Sequence, residues 1–224
     1  MKVKRKLPRN LMLRLTFYTL ANRAEFSITG GMKTSIKTQL IRSLVAALSA
    51  LGLLAFLLWY TQRPPTMGGD FKLNHNGKTW QFSENAKKLN LLYVGYAKCP
   101  DVCPMALSYS AQAFKQLTDK ERENVQLIFI SVDAENDTAE SVSVYAHQFN
   151  PEFIGLTGTT AEIDAAIKPF GASYIVEKDP KSYLGYSISH TDRVFFLNKK
   201  GIVVDSIQSP RSADEITTKI KENL

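Results

Sequence analysis

The chain has 224 residues and a formal net charge of +7, but that charge is unevenly distributed. Residues 1–63 hold 11 Lys/Arg against one acid, Glu25, for +10, whereas residues 64–224 hold 17 Lys/Arg against 20 Asp/Glu, for −3. A nucleic-acid-binding domain would gather positive charge on itself, so the mildly acidic remainder excludes that class, and the length suits one good-sized domain with an appended tail.

The basic excess flanks an apolar run. Residues 43–60 read SLVAALSALGLLAFLLWY without a single charge, and eighteen helical residues span about 27 Å, close to the hydrocarbon thickness of a bilayer. Trp59 and Tyr60 end the run where amphipathic rings favour the interface. Lys33, Lys37 and Arg42 precede it and Arg63 alone follows closely. The positive-inside rule therefore leaves residues 1–42 as a basic cytoplasmic tail and carries the chain from about residue 64 across the membrane. The long apolar stretch and the absence of a small-x-small site after Tyr60 favour an uncleaved anchor over a cleaved signal peptide. Residues 1–31 are basic and poor in acids. One expectation is that translation starts at Met32; another is that residues 1–31 form an organellar transit segment, which would have a similar composition. Residues 61–66, with Pro64-Pro65, read as a linker.

The domain over 67–224 then alternates strands and helices. Residues 70–73 and 78–82 form a hairpin around Asn74-His75-Asn76-Gly77. Residues 91–96 form a central strand buried on both faces, followed by a helix over 104–117 with Pro104 in its first turn. A second buried strand, 125–132, leads to a helix over 138–149 opened by Asp137-Thr138. Next come a short strand at 153–156 and a helix over 160–169 with Thr160 as N-cap. Residues 173–177 and 186–189 flank a charged loop, 193–197 and 202–206 pair across Asn198-Lys199-Lys200-Gly201, and Ser212 or Asp214 starts the last helix. This order predicts an α/β domain with a mixed sheet flanked by helices.

Two cysteines, Cys99 and Cys103, lie between the central strand and the helix that follows it. Such a pair closes a disulfide, cycles between dithiol and disulfide, or holds a soft metal. A bridge closing so small a loop constrains the unfolded chain very little, which argues against a purely structural staple. A helix N-terminus favours thiolate, and Lys98 adds charge of the helpful sign. A third ligand would separate metal from redox roles, since two thiolates and an imidazole suit copper, especially Cu(I). Of the three histidines, His75 falls in the hairpin turn as a solvated residue and His147 on a helix surface. His190 stands between two strands, where loops present side chains. Met105 offers a thioether beside the pair, although methionine on an apolar helix face is ordinarily core packing.

The segment Cys99-Pro100-Asp101-Val102-Cys103-Pro104, preceded by Gly95-Tyr96-Ala97-Lys98, closely resembles the signature of the Sco/SenC proteins. The resemblance runs over about 67–224. It takes in Gly68-Gly69-Asp70-Phe71, Ser131-Val132-Asp133 with Asp137-Thr138, Gly155-Leu156-Thr157-Gly158 and Ser189-His190-Thr191. It implies a thioredoxin-like fold and a membrane-anchored copper protein. The location would be the periplasmic face of a bacterial inner membrane or the intermembrane-space face of a mitochondrial one. It further implies Cys99 and Cys103 as copper thiolates, His190 as the imidazole ligand, and Asp133 in a role beside the ligands or facing the partner. Copper, as Cu(I) or Cu(II), would pass to the Cu(A)-bearing subunit of cytochrome c oxidase or another copper-accepting membrane protein. The alternative is a thiol–disulfide reductase in which Cys99 attacks and Cys103 resolves, leaving the target cysteines reduced; a copper or redox sensor ranks lower. The chain departs from the family at Ala134, where proline is usual, at Asp192-Arg193 in a usually less charged stretch, and in residues 1–31.

Overall fold

The computed structural model describes residues 35–61 and 66–224. The proposed transit or late-start segment 1–31, most of the basic tail, and Pro64-Pro65 of the linker lie outside the described residues. The chain divides into two compact units, 1–64 and 65–224. In the first, helix α1 (Ile36–Thr61) extends the expected apolar run at both ends, and none of its residues is buried. At 26 residues, with an 18-residue stretch of mean hydropathy 2.2, it is long and apolar enough to cross a membrane.

The second unit is built on a five-stranded sheet in the order β5-β4-β3-β8-β9. Strands β3 (Leu89–Gly95), β4 (Val125–Ser131) and β5 (Ile154–Leu156) run parallel. Strands β8 (Arg193–Asn198) and β9 (Val203–Gln208) add antiparallel pairings on the other side of β3. Every residue of β3 and β4 is buried, which is why their sequences read as near-continuous apolar runs, broken only by Asn90, Gln126 and Ser131, rather than alternating ones. Alternate residues feed two cores. Leu91, Tyr93, Leu127, Phe129 and Phe196 meet α3 (Val102–Lys115), α5 (Ala139–Phe149) and α7 (Ala213–Asn223) on one face. Leu92, Val94, Ile128, Ile130 and Phe195 meet α6 (Thr160–Ile167) and the N-terminal hairpin on the other.

That hairpin, β1 (Lys72–His75) and β2 (Lys78–Gln81), turns on Asn76 (φ 50°) and Gly77 (φ 79°), the left-handed pair a two-residue loop requires. It runs into a short helix, α2 (Phe82–Asn85). The tight turn corrects the reading of His75. The residue ends β1 half-buried, and its Nδ1 donates to the Gly155 carbonyl at 2.9 Å instead of facing solvent in a turn. A second correction concerns α6, whose cap is Thr159: its side chain accepts from the Glu162 amide and Glu162 reaches back, closing a capping box. Thr118 with Glu121 caps the short α4 (Asp119–Glu123) in the same way, an element the residue pattern does not signal. Beyond α6, a separate hairpin of β6 (Tyr174–Lys178) and β7 (Tyr186–His190) leads to the site.

Candidate metal centre

Both thiols sit where β3 ends. Helix α3 begins at Val102, two residues before the expected start, so Cys103 lies in its first turn with Pro104 behind it. Cys103 is fully buried in the core, whereas Cys99 is half-buried and packs against the rims of both cores. His190 ends β7, with Nε2 3.2 Å from Cys103 Sγ. The ligand atoms of Cys99, Cys103 and His190 lie within 4.8 Å of one another. His147 is exposed on α5 and outside this group. Met105 is 46% exposed, so it is not the core residue its helical position suggested.

Several features make this junction reactive. Helices α4, α5 and α6 carry side-chain capping boxes, but Asp101 at the N-cap of α3 makes no side-chain cap hydrogen bond. The orphan amides of a helix start need an acceptor, and here the Cys99 sulfur takes hydrogen bonds from the backbone of Asp101 and Cys103. Together with hydrogen bonds from the Cys103 side chain, the largest cause, and from His190, these bring the Cys99 thiol down to about 4, so it is a thiolate at neutral pH. Burial drives the Cys103 thiol the other way, reinforced by the hydrogen bond to Cys99 and by its charge, so Cys103 keeps its proton. The pair is therefore a half-buried thiolate beside a fully buried thiol.

The imidazole is held by rings. Tyr93 and Tyr96 meet it edge-on, with centroids 6.2 and 5.9 Å away. Its Nδ1 faces the Thr191 carbonyl at 3.3 Å, which leaves Nε2 turned toward sulfur. Burial raises the hydroxyls of both tyrosines, that of Tyr96 to about 12, so both stay protonated.

Asp133 lies outside the three-donor group. It is buried, with Oδ1 accepting from Asn136 Nδ2 at 2.8 Å and Oδ2 from the Tyr186 hydroxyl, which ties the loop after β4 to the strand that ends in His190. Two further residues support the site unannounced by the sequence pattern. Asp137, read as a helix opener, is buried and accepts from the Ala97 amide at 2.9 Å and the Ser131 hydroxyl at 2.6 Å, bracing the loop that carries Cys99. Gly95 makes room for sulfur: a Cβ there would stand 2.5 Å from Cys103 Sγ. Its place just before the cysteine loop was visible, but only the packing gives the reason for glycine.

Two soft thiolate sulfurs and one imidazole nitrogen form a donor set for a soft or borderline ion such as copper, better than for the hard cations that prefer oxygen. A family model described as SCO1/SenC matches residues 60–224. The chain is 31% identical over 160 residues to the mitochondrial protein SCO2 of Saccharomyces cerevisiae, covering 70% of this chain and 53% of that protein. It is 34% identical over 137 residues to the protein SenC of Rhodobacter capsulatus, covering 60% of each. This chain thus spans little more than half the length of the yeast relative. A crystal structure of Arabidopsis thaliana ScoI with copper bound superposes with a TM-score of 0.63 at 30% identity, covering 70% of this chain and 97% of that one.

Proposed function

From the premise that this chain belongs to the SCO1/SenC family, we propose that it is a membrane-anchored copper carrier that delivers the ion to the Cu(A) site of cytochrome c oxidase. The observation that carries this reading is the convergence of Cys99, Cys103 and His190 donor atoms within 4.8 Å. Copper is the cargo. Three protein donors leave room for a ligand from the recipient, which stepwise exchange requires. Cys99, half-exposed and already deprotonated, is the sulfur an incoming site reaches first. Cys103 must lose its proton on loading, so copper uptake releases protons and fails if the pair is oxidised. Helix α1 supplies the anchor, confining the search for the recipient to the membrane plane. The charge bias supports a copper domain in the periplasm or, in a mitochondrion, the intermembrane space.

The test is copper stoichiometry and affinity of the reduced full chain in detergent, wild type beside His190→Ala. One copper per chain is expected, and the variant, lacking one ligand in three, should lose more than the about ten- to a hundredfold typical of a group that only orients a ligand. Unchanged affinity would remove His190 from the ligand set.

One observation supports a second reading, reduction of the recipient's own disulfide. The thiolate–thiol asymmetry is that of an attacking and a resolving cysteine. The Cys99 thiolate would attack a target disulfide, forming a mixed disulfide and expelling one target thiolate. Cys103, giving up its proton, would then attack Cys99 sulfur, releasing the second target thiol and leaving Cys99–Cys103 oxidised. Cys103→Ser should trap the mixed disulfide; a variant that traps none counts against this reading.

A further inference from the structure

Asp192 stands where the family is usually less charged, and neither reading above uses it. It lies in the short turn between β7 and β8, two residues beyond His190. Its Oδ1 accepts the Tyr93 hydroxyl at 2.8 Å. Tyr93 is itself wholly buried, stacked on Phe129 with centroids 6.4 Å apart, and its ring meets the His190 imidazole edge-on. A buried phenol without a partner is costly, so the fold has reason to keep this bond. It adds a side-chain bond to the β3–β8 ladder, which sets Tyr93 opposite Val194 just past the turn, and it reaches the turn itself. The Thr191 amide donates to the Ser173 carbonyl at 3.0 Å and the Ser209 amide to the Asp192 carbonyl at 2.9 Å, and neither serine belongs to the strand that leads into the thiols. Tyr93 does: it sits on β3, two residues before Gly95 and six before Cys99.

We propose that Tyr93 and Asp192 are a positioning pair: their hydrogen bond ties the turn carrying His190 to the strand carrying the cysteine loop, and so sets the imidazole against the thiols. The consequence for metal rests on the copper reading. With the bond in place, Nε2 is held at its 3.2 Å approach to Cys103 Sγ before any ion arrives, so little is spent on ordering the ring when copper binds. Groups that orient a metal-binding imidazole typically change affinity by about ten- to a hundredfold when removed.

The test uses the reduced full chain in detergent with three variants. Tyr93→Phe removes only the hydroxyl and keeps the ring against Phe129 and His190. Asp192→Ala removes the acceptor. Asp192→Asn keeps an oxygen acceptor and removes the charge. Copper affinity is read by competition with a chromophoric Cu(I) chelator, nitrogen coupling by electron paramagnetic resonance of the Cu(II) form, and folding by circular dichroism. Tyr93→Phe and Asp192→Ala are expected to bind about tenfold more weakly, with altered nitrogen coupling in a folded protein, and Asp192→Asn to stay within about threefold of wild type. Wild-type affinity and coupling in Tyr93→Phe would overturn the proposal. So would an Asp192→Asn variant as weak as Asp192→Ala, since charge and not the hydrogen bond would then matter. A third reading needs no copper. The His190 ring resonances of the metal-free protein should be a single sharp set in wild type and broadened or shifted in Tyr93→Phe; identical spectra would again overturn it. A wild-type chain that retains no copper would instead refute the copper reading and leave this spectroscopic arm to decide the positioning.

Discussion

Replacing Gly95 with alanine isolates the packing that seats the buried thiol. The new Cβ would stand 2.5 Å from Cys103 Sγ, 3.2 Å from a ring carbon of Phe129 and 3.4 Å from one of Tyr93. Gly95 is not among the glycines with positive φ, so the backbone accepts alanine and the conflict is one of volume alone. Non-bonded heavy atoms rest at about 3.5–4 Å, so the sulfur must retreat by about 1 Å. It has nowhere to go, because Cys103 is 0% exposed. Overpacking of this kind costs about 1–3 kcal/mol, a fall in Tm of roughly 2–12 °C for a domain of this size. A shift of about 1 Å also exceeds the roughly 0.5 Å tolerance of a preorganised site, so copper affinity should fall at least about tenfold, or ~1.4 kcal/mol. Thermal melts and copper competition on Gly95→Ala, Cys103→Ala and the double variant read both effects. In the Cys103→Ala background the added methyl enters space left by sulfur, and its cost should drop below about 0.5 kcal/mol. An equal penalty in both backgrounds, or a Gly95→Ala chain with wild-type Tm and copper affinity, would refute the reasoning.

Asp137→Ala strands the Ala97 amide and the Ser131 hydroxyl, and should cost about 2–4 kcal/mol in urea unfolding, with Asp137→Asn clearly milder because an amide oxygen still accepts. Alkylation of Cys99 by iodoacetamide, mapped by mass, should be nearly flat from about pH 6 to 9, because the thiolate is lost only as pH falls toward about 4. A rate rising about tenfold per pH unit through neutrality would mean an ordinary thiol. Thr159→Ala should destabilise the domain by about 0.5–2 kcal/mol while Thr160→Ala stays within about 0.5; the reverse order would return the cap to Thr160.

The elements most legible in the sequence are those whose environment is uniform. The runs at β3 and β4 read as buried strands because both faces of the sheet are covered. Asn76-Gly77 marks a turn because both positions need positive φ. Errors arose where neighbours compete. Thr159 and Thr160 are equal candidates by type, and the deciding signal is Glu162, three residues beyond Thr159. Helix α4 escaped because its five residues are all charged and bury nothing, so only the Thr118–Glu121 box marks it.

By itself the sequence determined the apolar segment, the mixed α/β order, and a reactive cysteine pair at a strand-to-helix junction. These follow from local composition and spacing, which act over a few residues. The tertiary structure alone decided how the two thiols differ, since burial and the uncapped start of α3 are properties of packing. It also decided that His190, 87 residues from Cys103, reaches sulfur while His75 turns to a backbone carbonyl. The roles of Gly95 and of the Tyr93–Asp192 bond belong to the same class: each depends on a distance that exists only once separate strands and turns have met across the sheet.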